Sequence, residues 1–108
     1  MKVYIAGKIT GCTNYKSKFQ EAEQALKWEE HIVLNPSDLP QGMSNADYMR
    51  ICFAMIDAAD AVAFLPGWED SKGACLEHAY CQYTSKQTMY LEHLTSYQNI
   101  INPTFYGF

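Results

Sequence analysis

The chain is short of positive charge: eight Lys and Arg stand against twelve Asp and Glu, for a formal net charge of −4 and a pI near 5.2. That balance excludes a surface built to neutralise a nucleic-acid polymer, which needs clustered Lys and Arg. It does not exclude one bound nucleotide, because a few backbone N–H groups can hold a single phosphate. No apolar run approaches the roughly 20 residues needed to cross a bilayer, so no membrane partner is expected. The first strand pattern begins at Lys2, which leaves no stretch for an export signal and predicts a cytoplasmic location. The four cysteines, Cys12, Cys52, Cys75 and Cys81, form no C-x-x-C pair, and His31, His78 and His93 are the only imidazoles. Metal-ligand spacing is therefore lacking and no metal site is expected. Free thiols suit a reducing compartment. The three histidines read as surface or structural residues. Internal repeats and low-complexity tracts are absent as well.

With 108 residues, 48% of them hydrophobic, the chain suits one domain over residues 1–108. Lys2 to Ala6 is a β-forming apolar run that opens at Gly7 into a loop reaching Asn14, so it reads as a buried strand. Asn14 is a candidate N-cap for a helix whose apolar face is Tyr15, Phe19, Ala22 and Leu26. Ile32 to Leu34 is a second strand, stopped at Asn35-Pro36, and Ser37 to Met43 is a loop. Ser44-x-x-Asp47 has the pattern of a helix start, and Tyr48, Cys52, Met55 and Ala59 then share one helical face. Ala61 to Leu65 is a third strand ended by Pro66-Gly67. A third helix is predicted from about Lys72 to Ser85, and a fourth strand over Thr88 to Leu91. The tail from about His93 has no assignment. Strands alternating with helices imply βαβ units and a parallel sheet; the expected fold is α/β, a flavodoxin or Rossmann-like three-layer sandwich of about four strands, with 2-1-3-4 taken as the strand order.

In such sheets ligands bind beyond the carboxyl ends of the strands, where strand order reverses. Two glycine-bearing loops leave such ends, Gly7 to Asn14 and Pro66 to Gly73, and the 2-1-3-4 order makes them face one another across a crevice. Glu77 lies in the second turn of the third helix, four residues after Gly73. Helical side chains lean toward the N-terminus, so Glu77 is expected to reach over Gly73 into the crevice. Ser71 is a candidate cap, and the free N–H groups behind it form an anion-binding corner. The competing reading of the same spacing is a solvated helical glutamate behind an ordinary serine cap.

The stretch DAVAFLPGWEDSKGACLEHAY, Asp60 to Tyr80, resembles the nucleoside 2-deoxyribosyltransferase superfamily. The opening YIAGKITG, Tyr4 to Gly11, is similar to its first strand and loop. The chain to about Lys86 resembles more closely a small, often phage-encoded branch called DUF4406. The S-x-G-x-x-x-E pattern of Ser71, Gly73 and Glu77 is similar to that of hydrolases acting on 2′-deoxynucleoside 5′-phosphates. The resemblance implies that Ser71 helps to bind phosphate and that Glu77 attacks or stabilises C1′ of the sugar. It also implies a homodimer or higher homo-oligomer; the aromatic tail residues Phe105, Tyr106 and Phe108, beyond the stretch of resemblance, are candidates to pack on a neighbour. One position departs: active members carry an aspartate eight residues before the one opening the third strand, and here that position is Cys52.

The expected activity is thus cleavage of the N-glycosidic bond of a deoxynucleoside or its 5′-monophosphate, by hydrolysis or transfer. Glu77 is the candidate catalytic carboxylate. Gly7, Lys8, Ile9, Thr10, Gly11, Trp68, Asp70, Ser71 and Gly73 are candidate substrate-binding residues. Trp68 suits either stacking on a base or anchoring its loop. Lys8 and Thr10 suit either a phosphate or bulk solvent. Tyr4 reads as core and Asp60 as a structural residue at the amino end of its strand. His78 is turned about 100° from Glu77 around the helix and is not expected to be its partner. The chemistry requires no metal or organic cofactor. The alternatives are a nucleotide-binding module or sponge without turnover, and a structural protein whose crevice is incidental.

Overall fold

Alternate residues of β1 (Lys2–Ala6) point to opposite faces, and Val3, Tyr4, Ile5 and Ala6 are all no more than 1% exposed. A strand buried on both sides needs a layer of helices on each, and that requirement sets the architecture. A computed structural model describes residues 1–91; the aromatic tail residues Phe105, Tyr106 and Phe108, and His93, lie outside the described residues. β1, β2 (Ile32–Leu34), β3 (Ala61–Phe64) and β4 (Gln87–Tyr90) form a four-stranded sheet in the order β2-β1-β3-β4. Every neighbouring pair is parallel, with Val3 beside Val33 on one flank and beside Ala61 on the other. The α/β class and the 2-1-3-4 order are those expected.

Three helices cover the sheet: α1 (Tyr15–Trp28), α2 (Asn45–Ala58) and α3 (Lys72–Thr84). Val3, Ile5, Ala61, Ala63 and Met89 pack against Phe19, Ala22 and Leu26 of α1. Tyr4, Ala6, Val62 and Phe64 pack on the other face against Cys52 and Ile56 of α2 and Cys81 of α3. Each large apolar side chain so buried contributes about 1.5–3 kcal/mol.

Several boundaries and caps differ from the sequence expectation. Asn14 precedes α1 but makes no side-chain cap; its Oδ1 instead accepts from the Cys12 thiol at 3.3 Å. Ser44 does cap α2, its Oγ accepting from the Asp47 backbone N–H. Asp47 does not reach back to complete a box and pairs with Arg50 at 3.2 Å. α3 stops at Thr84, and Ser85 takes the left-handed conformation at φ 59°. β4 runs from Gln87 to Tyr90, one residue earlier than expected. Two short 3₁₀ turns, Pro36–Asp38 and Trp68–Asp70, occupy stretches expected to be loop. Asp60 accepts from the Lys2 backbone N–H at 2.8 Å, tying the amino ends of β1 and β3 together as its structural reading requires.

Candidate active site

A cavity of about 720 Å³ opens at the carboxyl ends of β1 and β3, within the size range of small-molecule sites. Gly7, Lys8, Ile9 and Thr10 enter it from the loop after β1, and Asp70, Ser71, Gly73 and Glu77 from the start of α3. Pro36, Ser37, Leu39 and Gln41 approach from beyond β2, and Asn45, Tyr48, Met49 and Cys52 from α2. Tyr15 and Phe19 of α1 complete one wall.

Glu77 does not lie on the solvated side of its helix. It is 5% exposed and shares the buried stripe of α3 with Ala74 and Cys81, an arrangement almost never adopted by an unpaired surface glutamate. Its Oε2 accepts a 2.6 Å hydrogen bond from the Tyr4 hydroxyl. Its Oε1 has no hydrogen-bond partner, and the carboxylate no cationic one, among the described residues. Burial pushes the Glu77 carboxyl up to about 7, and the Tyr4 hydrogen bond works in the opposite direction. Burial, then the adjacent carboxylate, drives the Tyr4 hydroxyl well above its ordinary value. The same pattern holds for neighbouring thiols: burial raises Cys52, and burial followed by Glu77 raises Cys81 to about 11. A buried carboxyl whose value is raised toward neutrality at a cavity wall is the setting used for acid, base or nucleophilic catalysis.

The α3 N-terminus is built for polar contact. Ser71 Oγ accepts from the Ala74 N–H at 3.1 Å, which leaves its own hydroxyl proton and the first N–H groups of the helix beside the cavity. Two glycines have different reasons. A Cβ on Gly7 would meet Leu65 Cδ1 at 2.9 Å and its Cβ at 3.1 Å, so the loop packs closely on the residue after β3 and a side chain there would have to displace it. A Cβ on Gly73 would meet nothing nearer than Met49 Sδ at 3.8 Å. The protein tolerates a side chain there; what Gly73 leaves open is cavity space.

Two candidate residues are placed elsewhere. Gly11 is exposed at the loop tip with φ 77° and is not among the cavity-lining residues. Trp68 is not among them either. It stacks on His78 with ring centroids 4.3 Å apart and packs against Phe64, anchoring the turn that delivers Asp70 and Ser71. His78 faces this cluster and bonds the Tyr90 hydroxyl at 2.8 Å, away from Glu77, as its helical offset predicts. Sequence reasoning passed over Tyr4, read as core, and the cavity-facing side of α2. The signal for Tyr4 was a hydroxyl inside an aliphatic strand, because a buried phenol needs a partner. Among the described residues, no group of three or more His, Cys, Asp or Glu is placed to hold a metal ion, and no helix is long and apolar enough to cross a membrane.

A 2-deoxyribosyltransferase from Bacillus psychrosaccharolyticus, characterised as a biocatalyst for nucleoside synthesis, has a similar structure. It superposes with a TM-score of 0.69 at 21% identity, over 97% of this chain and 80% of its own. A 2-deoxyribosyltransferase from Leishmania mexicana superposes with a TM-score of 0.64 at 22% identity, over 84% of this chain and 63% of its own. The chain thus spans less than two thirds of the Leishmania enzyme's length, and at these identities the likeness establishes a shared fold. No curated protein matches the sequence significantly. Residues 1–90 match the family described as a domain of unknown function, DUF4406, and the chain belongs to that family.

Proposed function

We propose that the protein cleaves the N-glycosidic bond of a deoxynucleoside or deoxynucleoside 5′-monophosphate, by hydrolysis or by transfer to a second base. The observation that carries this reading is Glu77: a buried carboxylate at a cavity wall, bonded to Tyr4, with one oxygen lacking a hydrogen-bond partner among the described residues. The fold shared with two 2-deoxyribosyltransferases supports it. As the C1′–N bond breaks, its electron pair leaves with the base nitrogen and positive charge builds on the sugar ring. Glu77 Oε1 then forms an ester to C1′ or stabilises the cation. Water resolves the intermediate in a hydrolase, giving its proton to solvent or to the departing base; a second base resolves it in a transferase. Tyr4 holds the carboxylate in place, while Ser71, the N–H groups of the α3 N-terminus, Lys8 and Thr10 bind the sugar hydroxyls or a 5′-phosphate.

The test is incubation with each 2′-deoxynucleoside and each 5′-monophosphate, with chromatography for free base. Release by the wild type, reduced at least about 10³-fold in Glu77→Gln (about 4 kcal/mol of barrier), supports the reading. Absence of release from every substrate refutes it. A nucleotide-binding module without turnover is favoured by one observation, the Cys52 thiol where similar active enzymes carry an aspartate. Binding without base release would establish that role. The proposal includes one domain over residues 1–108, a cytoplasmic location and a homodimer or larger assembly; a monomer in light scattering removes the last.

A further inference from the structure

The cavity runs from Ser71 at the α3 N-terminus to the segment after β2. On the β2 side Pro36, Ser37, Leu39 and Gln41 line it, with Tyr15 and Phe19 of α1 beside them, a mainly apolar wall. Both tyrosine hydroxyls bordering it make a bond within the protein: Tyr15 Oη accepts from Gln41 Nε2 at 3.1 Å, and Tyr48 Oη donates to the Pro40 carbonyl at 2.6 Å. β2 and β3 flank β1, so the two ends are about two strand spacings apart, roughly 10 Å. A flat heterocycle suits the apolar end when its sugar carbon is at Glu77.

Two polar side chains, Gln41 and Ser37, line that end, and Gln41 is bonded to Tyr15 through Nε2. Ser37 is 5% exposed and lines the cavity, and its hydroxyl has no hydrogen-bond partner among the described residues. The hydroxyl therefore borders the cavity with its donor and acceptor uncommitted to protein groups among the described residues. Its position is also braced. The Ser37 N–H donates to Asn35 Oδ1 at 2.9 Å, and Asn35, itself buried, donates through Nδ2 to Glu23 Oε1 at 2.8 Å. Lys27 holds the other oxygen of Glu23 at 2.7 Å. Three polar residues, Asn35, Glu23 and Lys27, thus hold the Ser37 backbone in place, and the hydroxyl it carries makes no hydrogen bond among the described residues.

We propose that Ser37 is the base-reading residue: its hydroxyl hydrogen-bonds the polar edge of the six-membered ring of a nucleobase seated at the β2 end of the cavity. The assignment rests on the nucleoside reading of the site. A hydroxyl both donates and accepts, so it serves amino and keto edges alike and discriminates against rings lacking either.

Calorimetric binding of adenine, hypoxanthine, cytosine, thymine and benzimidazole to the full chain and to Ser37→Ala tests the assignment, alongside base release from the deoxynucleosides. Benzimidazole keeps the fused-ring shape and lacks the polar edge. The substitution is expected to weaken binding of the bases with a polar edge about 3-fold to 10-fold and to leave benzimidazole unchanged. Melting temperature is the control, and removing an unpartnered hydroxyl is not expected to lower it. Equal affinities in both proteins, an equal loss for every ring, or no binding of any base to the wild type would overturn the proposal. Serine-dependent base binding without any base release would leave it standing while the glycosidase reading falls. Release with a base preference untouched by Ser37→Ala would do the reverse.

Discussion

The two faces of the sheet are made from alternate residues of the same strands, yet they do different work. The α1 face is hydrocarbon apart from the Met89 thioether: Val3, Ile5, Ala61 and Ala63 meet Phe19, Ala22 and Leu26. The opposite face holds the Tyr4 hydroxyl and the Cys52 and Cys81 thiols, with the Glu77 carboxyl on the same stripe of α3 as Cys81. Burying such groups is unfavourable, and the adverse terms are visible in the upward shifts of Tyr4, Cys52, Glu77 and Cys81. The α1 face chiefly stabilises the fold, although Ile9, Tyr15 and Phe19 at its edge also line the cavity, and the opposite face carries the reactive groups. Val3 and Tyr4 are consecutive residues, and the pleat alone assigns them to opposite roles.

The comparison breaks most visibly if the α1 face is cut. Leu26→Ala should lower stability by about 2–5 kcal/mol, measured by denaturant unfolding, while kcat and KM per folded molecule stay unchanged. A changed KM would mean that the two faces are not separable.

A smaller and oppositely signed effect is expected from Glu77. Its carboxyl titrates near 7 in the folded chain against an ordinary 4.5, so the native state binds the proton more tightly than the unfolded state does. The stability this group contributes is therefore full below about pH 4.5 and is lost as pH rises through about 7. The loss amounts to about 3 kcal/mol at most. Glu77→Gln lacks the titration. The stability difference between the two proteins should shift in favour of the variant across that window, in parallel urea titrations at several pH values. For catalysis the sign reverses, because the ionised carboxylate is the reactive form, and kcat/KM should rise with pH through about 7.

Tyr4→Phe gives the finest resolution of the comparison. The Tyr4 hydrogen bond lowers the Glu77 value, so its loss should move the rising limb of the kcat/KM profile to higher pH and reduce the rate near neutrality by about 10-fold (roughly 1.4 kcal/mol). A merely structural tyrosine would leave the position of that limb unchanged.

Much of this molecule is legible along the chain. The short β-forming runs and the i, i+4 spacing of Tyr15, Phe19, Ala22 and Leu26 announce the strands and α1, because hydrophobic periodicity is a local property. Ser44 and Ser71 announce two helix starts for the same reason. Asn14 misleads, since a thiol two residues away takes the oxygen a cap would use. The ends of α3 and β4 shift by one residue because the left-handed turn at Ser85 closes the helix early. Glu77 stands out by its spacing from Ser71 and Gly73. Trp68 is ambiguous until His78 is seen beneath it.

The sequence by itself determined the alternation of strands and helices, and with it a parallel sheet whose carboxyl edge carries the polar loops. Only the tertiary structure decided that Tyr4 and Glu77, 73 residues apart, share a proton-bearing contact, and that Ser37 is braced at the far end of the same cavity. Periodicity states which side of an element is buried. Which hydroxyl meets which carboxylate depends on how the elements are stacked, and that is settled by packing between residues distant in the chain.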